Sequence, residues 1–209
     1  MTKKLPLIIL SGPTAVGKTE LSIALAKEVN GEIISADSMQ VYRRMDIGTA
    51  KISKEEMQGV PHHLIDILEP WETFNVVKFK ELVTEKIEEI CARGRIPILA
   101  GGTGFYIQSV LYDIEFEEQE GTLRKELEAF AKEHGDEALY RCLLEEDPIT
   151  AATIHPNNTK KVIRALEFFR ETKKSLATHN EEQRSREPVY QSAYFVLTRN
   201  REVLYDRIN

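Results

Sequence analysis

The stretch that decides the fold runs from Leu7 to Val29 and reads LIILSGPTAVGKTELSIALAKEV. Its apolar start predicts a buried strand over residues 7–11, and residues 18–29 have helical spacing. The pattern G-x-x-x-x-G-K-T between them is typical of a phosphate-binding loop, because a strand precedes it and a helix follows it. Four helix residues are expected to face inward: Leu21, Ala24, Leu25 and Val29. The sequence therefore predicts an α/β domain that binds a phosphorylated ligand.

The loop has the residues that phosphate binding requires. Its backbone N–H groups and the helix N-terminus suit a diphosphate or polyphosphate. Lys18 would neutralise the phosphate oxygens, and the Thr19 hydroxyl is a suitable ligand for Mg²⁺. The predicted diphosphate- or nucleotide-binding residues are Gly12, Pro13, Thr14, Ala15, Val16, Gly17, Lys18 and Thr19. An accidental glycine turn is the alternative, which both flanking elements disfavour.

Further strands and helices alternate along the chain. Residues 31–36, 96–101 and 189–198 have the composition of strands, and residues 74–94 that of an amphipathic helix. Short connections between such elements predict parallel strands. The predicted fold class is α/β: a P-loop NTPase-like parallel sheet flanked by helices, with an all-helical inserted subdomain.

The domain boundaries follow a change of composition. Residues 1–113 and 188–209 are assigned to the P-loop core, and the charged, strand-poor residues 114–187 to the helical insertion. The end of the chain has the pattern of a helix, so a missing C-terminal part is expected. In the insertion, Val162, Ile163, Leu166 and Phe169 are predicted to form the apolar face of one helix.

Composition excludes few functions. The 209 residues are 42% hydrophobic and 30% charged, without an apolar run long enough for a membrane span. A reduced, cytoplasmic protein is expected from two widely spaced cysteines and the lack of a signal peptide. The net charge of −6 argues against nucleic acid, but the stretch from Lys160 to Arg186 is basic.

The expected carboxyl edge of the sheet offers one candidate general base. Asp37 follows the second strand, beside the phosphate-binding loop, where a carboxylate could accept a proton from a substrate. A helix N-cap role for Asp37 is the alternative. P-loop hydrolases also have an acid at the end of another strand, whereas here Gly101, Gly102 and Thr103 follow IPILA. This difference favours a transferase over a hydrolase. The five scattered histidines lack the spacing of metal ligands.

The sequence resembles the tRNA dimethylallyltransferases, also called the bacterial tRNA isopentenyltransferase family. The resemblance rests on GPTAVGKT, SADSMQVYRRMDIGTAK, PHHLID, AGGTGFY and IHPNNTKKVIRALE, which lie between residues 12 and 167. Arg44 departs from the family, which more often has glycine there. The family transfers a dimethylallyl group from dimethylallyl diphosphate to N6 of the adenosine 3′ to the tRNA anticodon, and diphosphate leaves.

The resemblance implies roles for individual residues. The loop with Lys18 and Mg²⁺ at Thr19 would stabilise the leaving diphosphate, Asp37 would accept the N6 proton, and Thr103 would orient the amine or the diphosphate. An extruded base would be read by Asp37, Ser38, Met39 and Gln40. The anticodon stem would be contacted by Lys160, Lys161, Val162, Ile163 and Arg164. The expected partners are the anticodon arm of tRNA and dimethylallyl diphosphate, and a monomer is expected.

Two alternatives stay open at this point. A small-molecule or nucleoside kinase would use the same loop and base with ATP as donor. A non-catalytic, nucleotide-gated RNA-binding module would not need Asp37 for chemistry.

Overall fold

The computed structural model describes residues 4–116 and 122–208. The predicted domain ranges also include residues 1–3, 117–121 and 209, which lie outside this description. The strands are β1 Pro6–Ser11, β2 Gly31–Ser35, β3 His62–His63, β4 Ile96–Gly101 and β5 Gln191–Val196. The helices are α1 Lys18–Val29, α2 Val76–Ala92, α3 Gly104–Leu111, α4 Thr122–His134, α5 Asp136–Glu146, α6 Pro148–Ala151, α7 Thr159–Thr172, α8 Leu176–Arg184 and α9 Arg201–Ile208.

The strands form one parallel sheet in the order β3-β2-β4-β1-β5. The register pairs Ile8 with Ile98 between β1 and β4, and Ile33 with Ile98 between β2 and β4. In a parallel sheet all carboxyl ends lie at one edge, so the segments after β1, β2 and β4 are neighbours there. The predicted parallel α/β fold is confirmed, and the two-residue strand β3 is an addition to it.

The sheet has an apolar cluster on each face. Leu7 and Ile9 of β1 pack with Phe79, Val83 and other residues of α2 and α3. On the other face, the cluster contains residues of β1, β2, β4 and α1: Leu10, Ile23, Ala26, Ile33 and Ile98. Side chains alternate between the faces along a strand, so a strand covered on both sides reads as a continuous apolar run. LIIL is such a run.

The predicted inward face of α1 is partly wrong. The buried residues of this helix are Ser22, Ile23 and Ala26, while 44% of Leu21 is exposed. The prediction placed a leucine inward on hydrophobicity alone. In the structure Ile23 and Ala26 lie in the apolar cluster with β1, β2 and β4, and Leu25 and Val29 are partly buried against that cluster.

The chain divides into two compact units, one of residues 1–115 with 188–209 and one of residues 116–187. The second unit has an apolar core of its own. Its buried members are Leu127, Leu139, Leu143, Ala151, Val162, Ile163, Ala165 and Leu166. Asp147 is buried in this unit, where its carboxylate accepts hydrogen bonds from the N–H groups of Thr150 and Leu176 at 3.1 Å each. One side chain therefore caps α6 and the start of α8.

No helix within residues 4–116 and 122–208 combines the length and apolar character needed to cross a bilayer.

Candidate active site

The phosphate-binding loop joins β1 to α1 in a conformation that its sequence explains. Gly12 and Gly17 have φ values of +151° and +102°, which side chains rarely tolerate. A Cβ on Gly12 would also lie 2.6 Å from the carbonyl oxygen of Leu197, just after β5. Val16 is buried and packs beside Gly12. The loop is thus fixed from below by β5 and Val16, and α1 begins directly after Gly17.

Lys18 places its ammonium group inside this loop. Nζ donates hydrogen bonds to the carbonyl oxygens of Gly12 at 2.8 Å and Pro13 at 2.7 Å. Burial lowers the pKa of Lys18, and the charge of Asp37 partly opposes that shift. The side chains of Thr14, Ala15, Lys18 and Thr19 line the cleft above the loop. A cation with the first-turn N–H groups of α1 makes this a suitable place for an anion.

Asp37 lies at the carboxyl edge of the sheet, two residues beyond β2, and lines the same cleft. Its Oδ1 accepts hydrogen bonds from the N–H groups of Met39 at 2.8 Å and Gln40 at 3.3 Å. Asp37 therefore caps a turn; the alternative assignment as a helix N-cap is wrong, because no helix directly follows it. Because both bonds use Oδ1, the other carboxylate oxygen is available for a proton. Capping and catalysis are compatible here.

The side-chain amide of Gln40 is hydrogen-bonded to other groups of the protein. Oε1 accepts a hydrogen bond from Ser35 Oγ at 3.2 Å, and Nε2 donates to the carbonyl oxygens of Thr49 and Ala50 at 3.2 and 3.3 Å. The three bonds hold residues 49–50 to β2. This geometry leaves little capacity for reading a base edge. Met39, 44% exposed, lines the cleft, whereas Ser38 is half-buried outside the lining residues.

The cleft has a volume of about 770 Å³ and is bounded by three parts of the first unit. The phosphate-binding loop and the end of β2 form two of its sides, and residues 44–50 form the third. Gly101 and Gly102, after β4, complete the floor. A Cβ on Gly101 would lie 2.2 Å from the carbonyl oxygen of Ala36, so this glycine is required by contact within the sheet.

Thr103 lies outside the set of residues that line the cleft. It is the N-cap residue of α3, and its side chain makes no capping hydrogen bond. Its carbonyl oxygen accepts hydrogen bonds from the N–H groups of Tyr106 and Ile107. Thr103 thus adjoins the floor at Gly102, and its role toward a substrate stays a prediction.

The second acid of P-loop hydrolases is missing at the end of β4, as the sequence indicated. The strand ends at Gly101 and is followed by Gly102 and Thr103. Asp66, in the segment after β3, binds the ammonium group of Lys51 at 2.6 Å. The site therefore combines an anion-binding loop with a carboxylate at a neighbouring strand end, and it is built to hold a phosphorylated group beside a proton acceptor.

A model of the family described as IPP transferase matches residues 40–209. The chain belongs to the IPP transferase family. Two curated relatives, both called tRNA dimethylallyltransferase, come from Lachnoclostridium phytofermentans and Bacillus licheniformis. The first is 59% identical over 98% of this chain, and the second is 57% identical over 99% of it. The chain spans 66% of the length of each.

Solved structures of the family agree with the observed fold. The tRNA isopentenylpyrophosphate transferase of Bacillus halodurans is 50% identical, with a TM-score of 0.65, over 98% of this chain and 64% of the other. A eukaryotic dimethylallyltransferase, described as acting on tRNA, is 32% identical with a TM-score of 0.84. That match covers 98% of this chain and 51% of the other.

In this member of the IPP transferase family, the predicted tRNA-contacting run divides into exposed and buried residues. Lys160, Lys161 and Arg164 are exposed on α7, whose N-cap residue is Asn158. Val162 and Ile163 are 0% and 4% exposed in the core of the second unit. The expectation that these two contact tRNA is wrong for their side chains, because a helix turns adjacent residues to different faces. Contact by the three basic residues stays a prediction.

The IPP transferase cleft also contains residues to which sequence reasoning assigned no role. Residues 44–50 and His62 line it. His62 lies in β3, and burial lowers the pKa of its imidazole. His63 instead binds the buried carboxylate of Glu32 at 2.6 Å. Residues 44–50 have no helical or strand periodicity, so their sequence gives no indication that they form a wall of the cleft. Within residues 4–116 and 122–208, no cluster of three acidic, histidine or cysteine side chains is arranged for a metal ion.

Proposed function

We propose that this protein transfers a dimethylallyl group from dimethylallyl diphosphate to N6 of the adenosine 3′-adjacent to the tRNA anticodon, with release of diphosphate. The observation that carries the proposal is membership of the IPP transferase family, with relatives 59% and 57% identical that are called tRNA dimethylallyltransferase. The cleft supports it independently, because an anion-binding loop and a carboxylate line the same space.

The reaction requires the bond between the allylic carbon and the diphosphate oxygen to break. Negative charge then develops on the leaving diphosphate. The N–H groups at the start of α1 and the ammonium of Lys18 are placed to stabilise that charge, since Nζ lies between the loop carbonyls of Gly12 and Pro13. Loss of this charge stabilisation slows departure of the diphosphate.

The electrons for the new bond come from N6 of the adenosine, and N6 loses a proton as it bonds to carbon. An exocyclic aromatic amine is a weak nucleophile, so a positioned base contributes to the rate. Asp37 lines the cleft with Oδ1 fixed by two backbone N–H groups. Its second oxygen would accept the proton. A base must leave the RNA stack to reach this carboxylate.

The donor groups of the cleft fit a magnesium ion. Thr19 and Asp37 offer a hydroxyl and a carboxylate, which are hard oxygen ligands, and Mg²⁺ commonly keeps waters and binds mainly to phosphate oxygens. Thr19 would hold the ion, which would supply charge neutralisation for the diphosphate when bound. Magnesium stays a proposal, as do tRNA and the prenyl donor as partners.

The deciding experiment supplies two donors in parallel. The protein is incubated with unmodified tRNA and either dimethylallyl diphosphate labelled in the prenyl group or ATP labelled at the γ-phosphate. Label from the prenyl donor alone, recovered on the adenosine 3′ to the anticodon, is the expected result. Label from ATP alone would identify a kinase, the alternative that the phosphate-binding loop by itself also fits. Tight tRNA binding without label from either donor would identify a binding module.

A further inference from the structure

The cleft wall formed by residues 45–50, here called the cleft loop, presents an uncovered apolar side chain. Ile47 is 97% exposed and lines the cleft. The loop consists of turns, with a φ of +46° at Ala50. An aliphatic side chain exposed to water is stabilised when a ligand or another residue covers it. Ile47 is therefore a favourable contact for an apolar group entering the cleft.

A loop without regular structure needs other bonds to hold such a side chain in place. Gln40 makes two hydrogen bonds at the C-terminal end of the loop, from Nε2 to the carbonyl oxygens of Thr49 and Ala50. Thr49 Oγ1 also donates a hydrogen bond to the carbonyl oxygen of Met45, at the N-terminal end of the loop. These contacts shape the loop internally and attach it to β2, but they do not attach it to the segment after β3.

Lys51 makes that second attachment. Its side chain is only 4% exposed, and Nζ donates to Asp46 Oδ1 at 2.8 Å, Asp66 Oδ1 at 2.6 Å and the carbonyl oxygen of Tyr42 at 2.6 Å. The three donors of an ammonium group are thereby all used. One partner lies in the cleft loop, one before it and one after β3, so a single side chain joins three segments.

The chemistry of this buried group indicates that its partners hold it firmly. Burial opposes the charged form, but hydrogen bonds to Asp46 and Asp66 outweigh burial and raise the pKa of Lys51. The ammonium thus remains charged throughout the physiological range. A buried charge deprived of its partners is costly, so the loop cannot move away from Lys51 without penalty.

We propose that Lys51 is a positioning residue: it fixes the cleft loop so that Ile47 packs against the apolar part of the ligand. This assignment rests on the proposed function, in which that part is the dimethylallyl group of the donor. The phosphate-binding loop holds the diphosphate end, and Lys51 itself touches neither. The assignment separates two binding contributions that come from different segments of the cleft.

The test compares two ligands that differ only in the apolar group. Dissociation constants for inorganic diphosphate and for dimethylallyl diphosphate are measured by calorimetry with Mg²⁺ present. The wild-type protein is expected to prefer the prenylated ligand. In Lys51→Met this preference falls about tenfold, as expected when one aliphatic contact is lost, while affinity for inorganic diphosphate changes less than about threefold. Ile47→Ala should give the same pattern.

A double variant distinguishes positioning from general damage. If Lys51 acts through Ile47, adding Lys51→Met to Ile47→Ala produces almost no further loss of preference. Lys54→Met, at an exposed lysine three residues away, is the matched control and should leave both constants unchanged. Asp46→Asn weakens the attachment of the loop but leaves the ion pair between Lys51 and Asp66 in place. This variant replaces Lys51→Met in the test if Lys51→Met does not fold.

The outcomes separate this assignment from the function on which it rests. Additive losses in the double variant, or a preserved preference in Lys51→Met and Asp46→Asn, would overturn the positioning role alone. Equal wild-type affinity for the two ligands would overturn both the positioning role and the prenyl donor. Loss of affinity for inorganic diphosphate in parallel with the prenylated ligand would show a general collapse of the cleft and also contradict the assignment.

Discussion

Asp37 has one observed role and one proposed role, and a single substitution can separate them. Its Oδ1 supports the turn at Met39 and Gln40, and the proposed chemistry uses the carboxylate as a base. Asp37→Asn keeps an oxygen acceptor for the turn but abolishes the base. We expect prenyl transfer to tRNA to slow by a factor of about 10²–10⁴ with tRNA affinity unchanged. Single-turnover rates with labelled donor measure it. An asparagine variant as fast as wild type would restrict Asp37 to the turn.

The buried carboxylate of Glu167 is expected to lower the free energy of unfolding. It is 1% exposed in α7, Oε2 has no hydrogen-bond partner, and burial raises the pKa of the carboxyl group while Arg124, 3.5 Å away, only partly opposes the shift. Glu167→Met should raise the free energy of unfolding at pH 7 by about 1–2 kcal/mol, because it removes an incompletely paired buried charge. Glu145→Met, at an exposed position of α5 in the same unit, is the control.

The pH dependence of this effect has a definite sign. The folded-state pKa of Glu167 lies above its unfolded value of 4.5, so the carboxyl destabilises the fold increasingly as the pH rises from 4.5 through the folded pKa. The advantage of Glu167→Met should therefore shrink on acidification toward pH 4.5. Urea unfolding at several pH values measures it. An advantage independent of pH would show that shape, not charge, determines the stability of this position.

At the scale of elements, the end of β4 lies so close to the residue after β2 that only a glycine fits at position 101. A Cβ on Gly101 would lie 2.2 Å from the carbonyl oxygen of Ala36, whereas one on Gly104 would meet nothing within 4 Å. Gly101→Ala should lower the free energy of unfolding by about 3 kcal/mol. Gly104→Ala, in the first turn of α3, should change it by no more than about 1 kcal/mol, toward greater stability. Equal effects in thermal unfolding would contradict this contact.

At the scale of the whole molecule, the sequence predicts what periodicity and a strict motif can encode. Strand runs such as LIIL, with the loop from Gly12 to Thr19 between strand and helix, predicted the parallel sheet; anion binding by that loop stays a prediction. The inward face of α1 and the position of Thr103 depend on how the chain leaves each strand, which no local pattern records. The same applies to Gln40 and Lys51, whose hydrogen-bond partners lie between 5 and 15 residues away in the sequence, most of them in segments without periodicity.

Charge is the property in which the whole molecule and its parts differ most. The net charge of −6 repels RNA on average, so the proposed tRNA contact of the second unit would require a local group of exposed basic residues. Lys160 and Lys161 are such residues at the start of α7. The double change Lys160→Glu and Lys161→Glu should weaken tRNA binding on the order of tenfold at low salt. It should also reduce the slope of log affinity against log salt by about 0.7–0.9 per lost phosphate contact.

The control has the same total charge. Lys125→Glu and Lys132→Glu alter two exposed lysines of α4 in the same unit, and the net charge changes equally. If long-range repulsion governed association, both pairs would weaken binding to the same extent and leave the salt slope similar. If direct phosphate contacts at α7 govern it, only the first pair changes the slope. Binding titrations over a range of salt concentrations distinguish the two, and equal slopes for the two variants would remove α7 from the RNA interface.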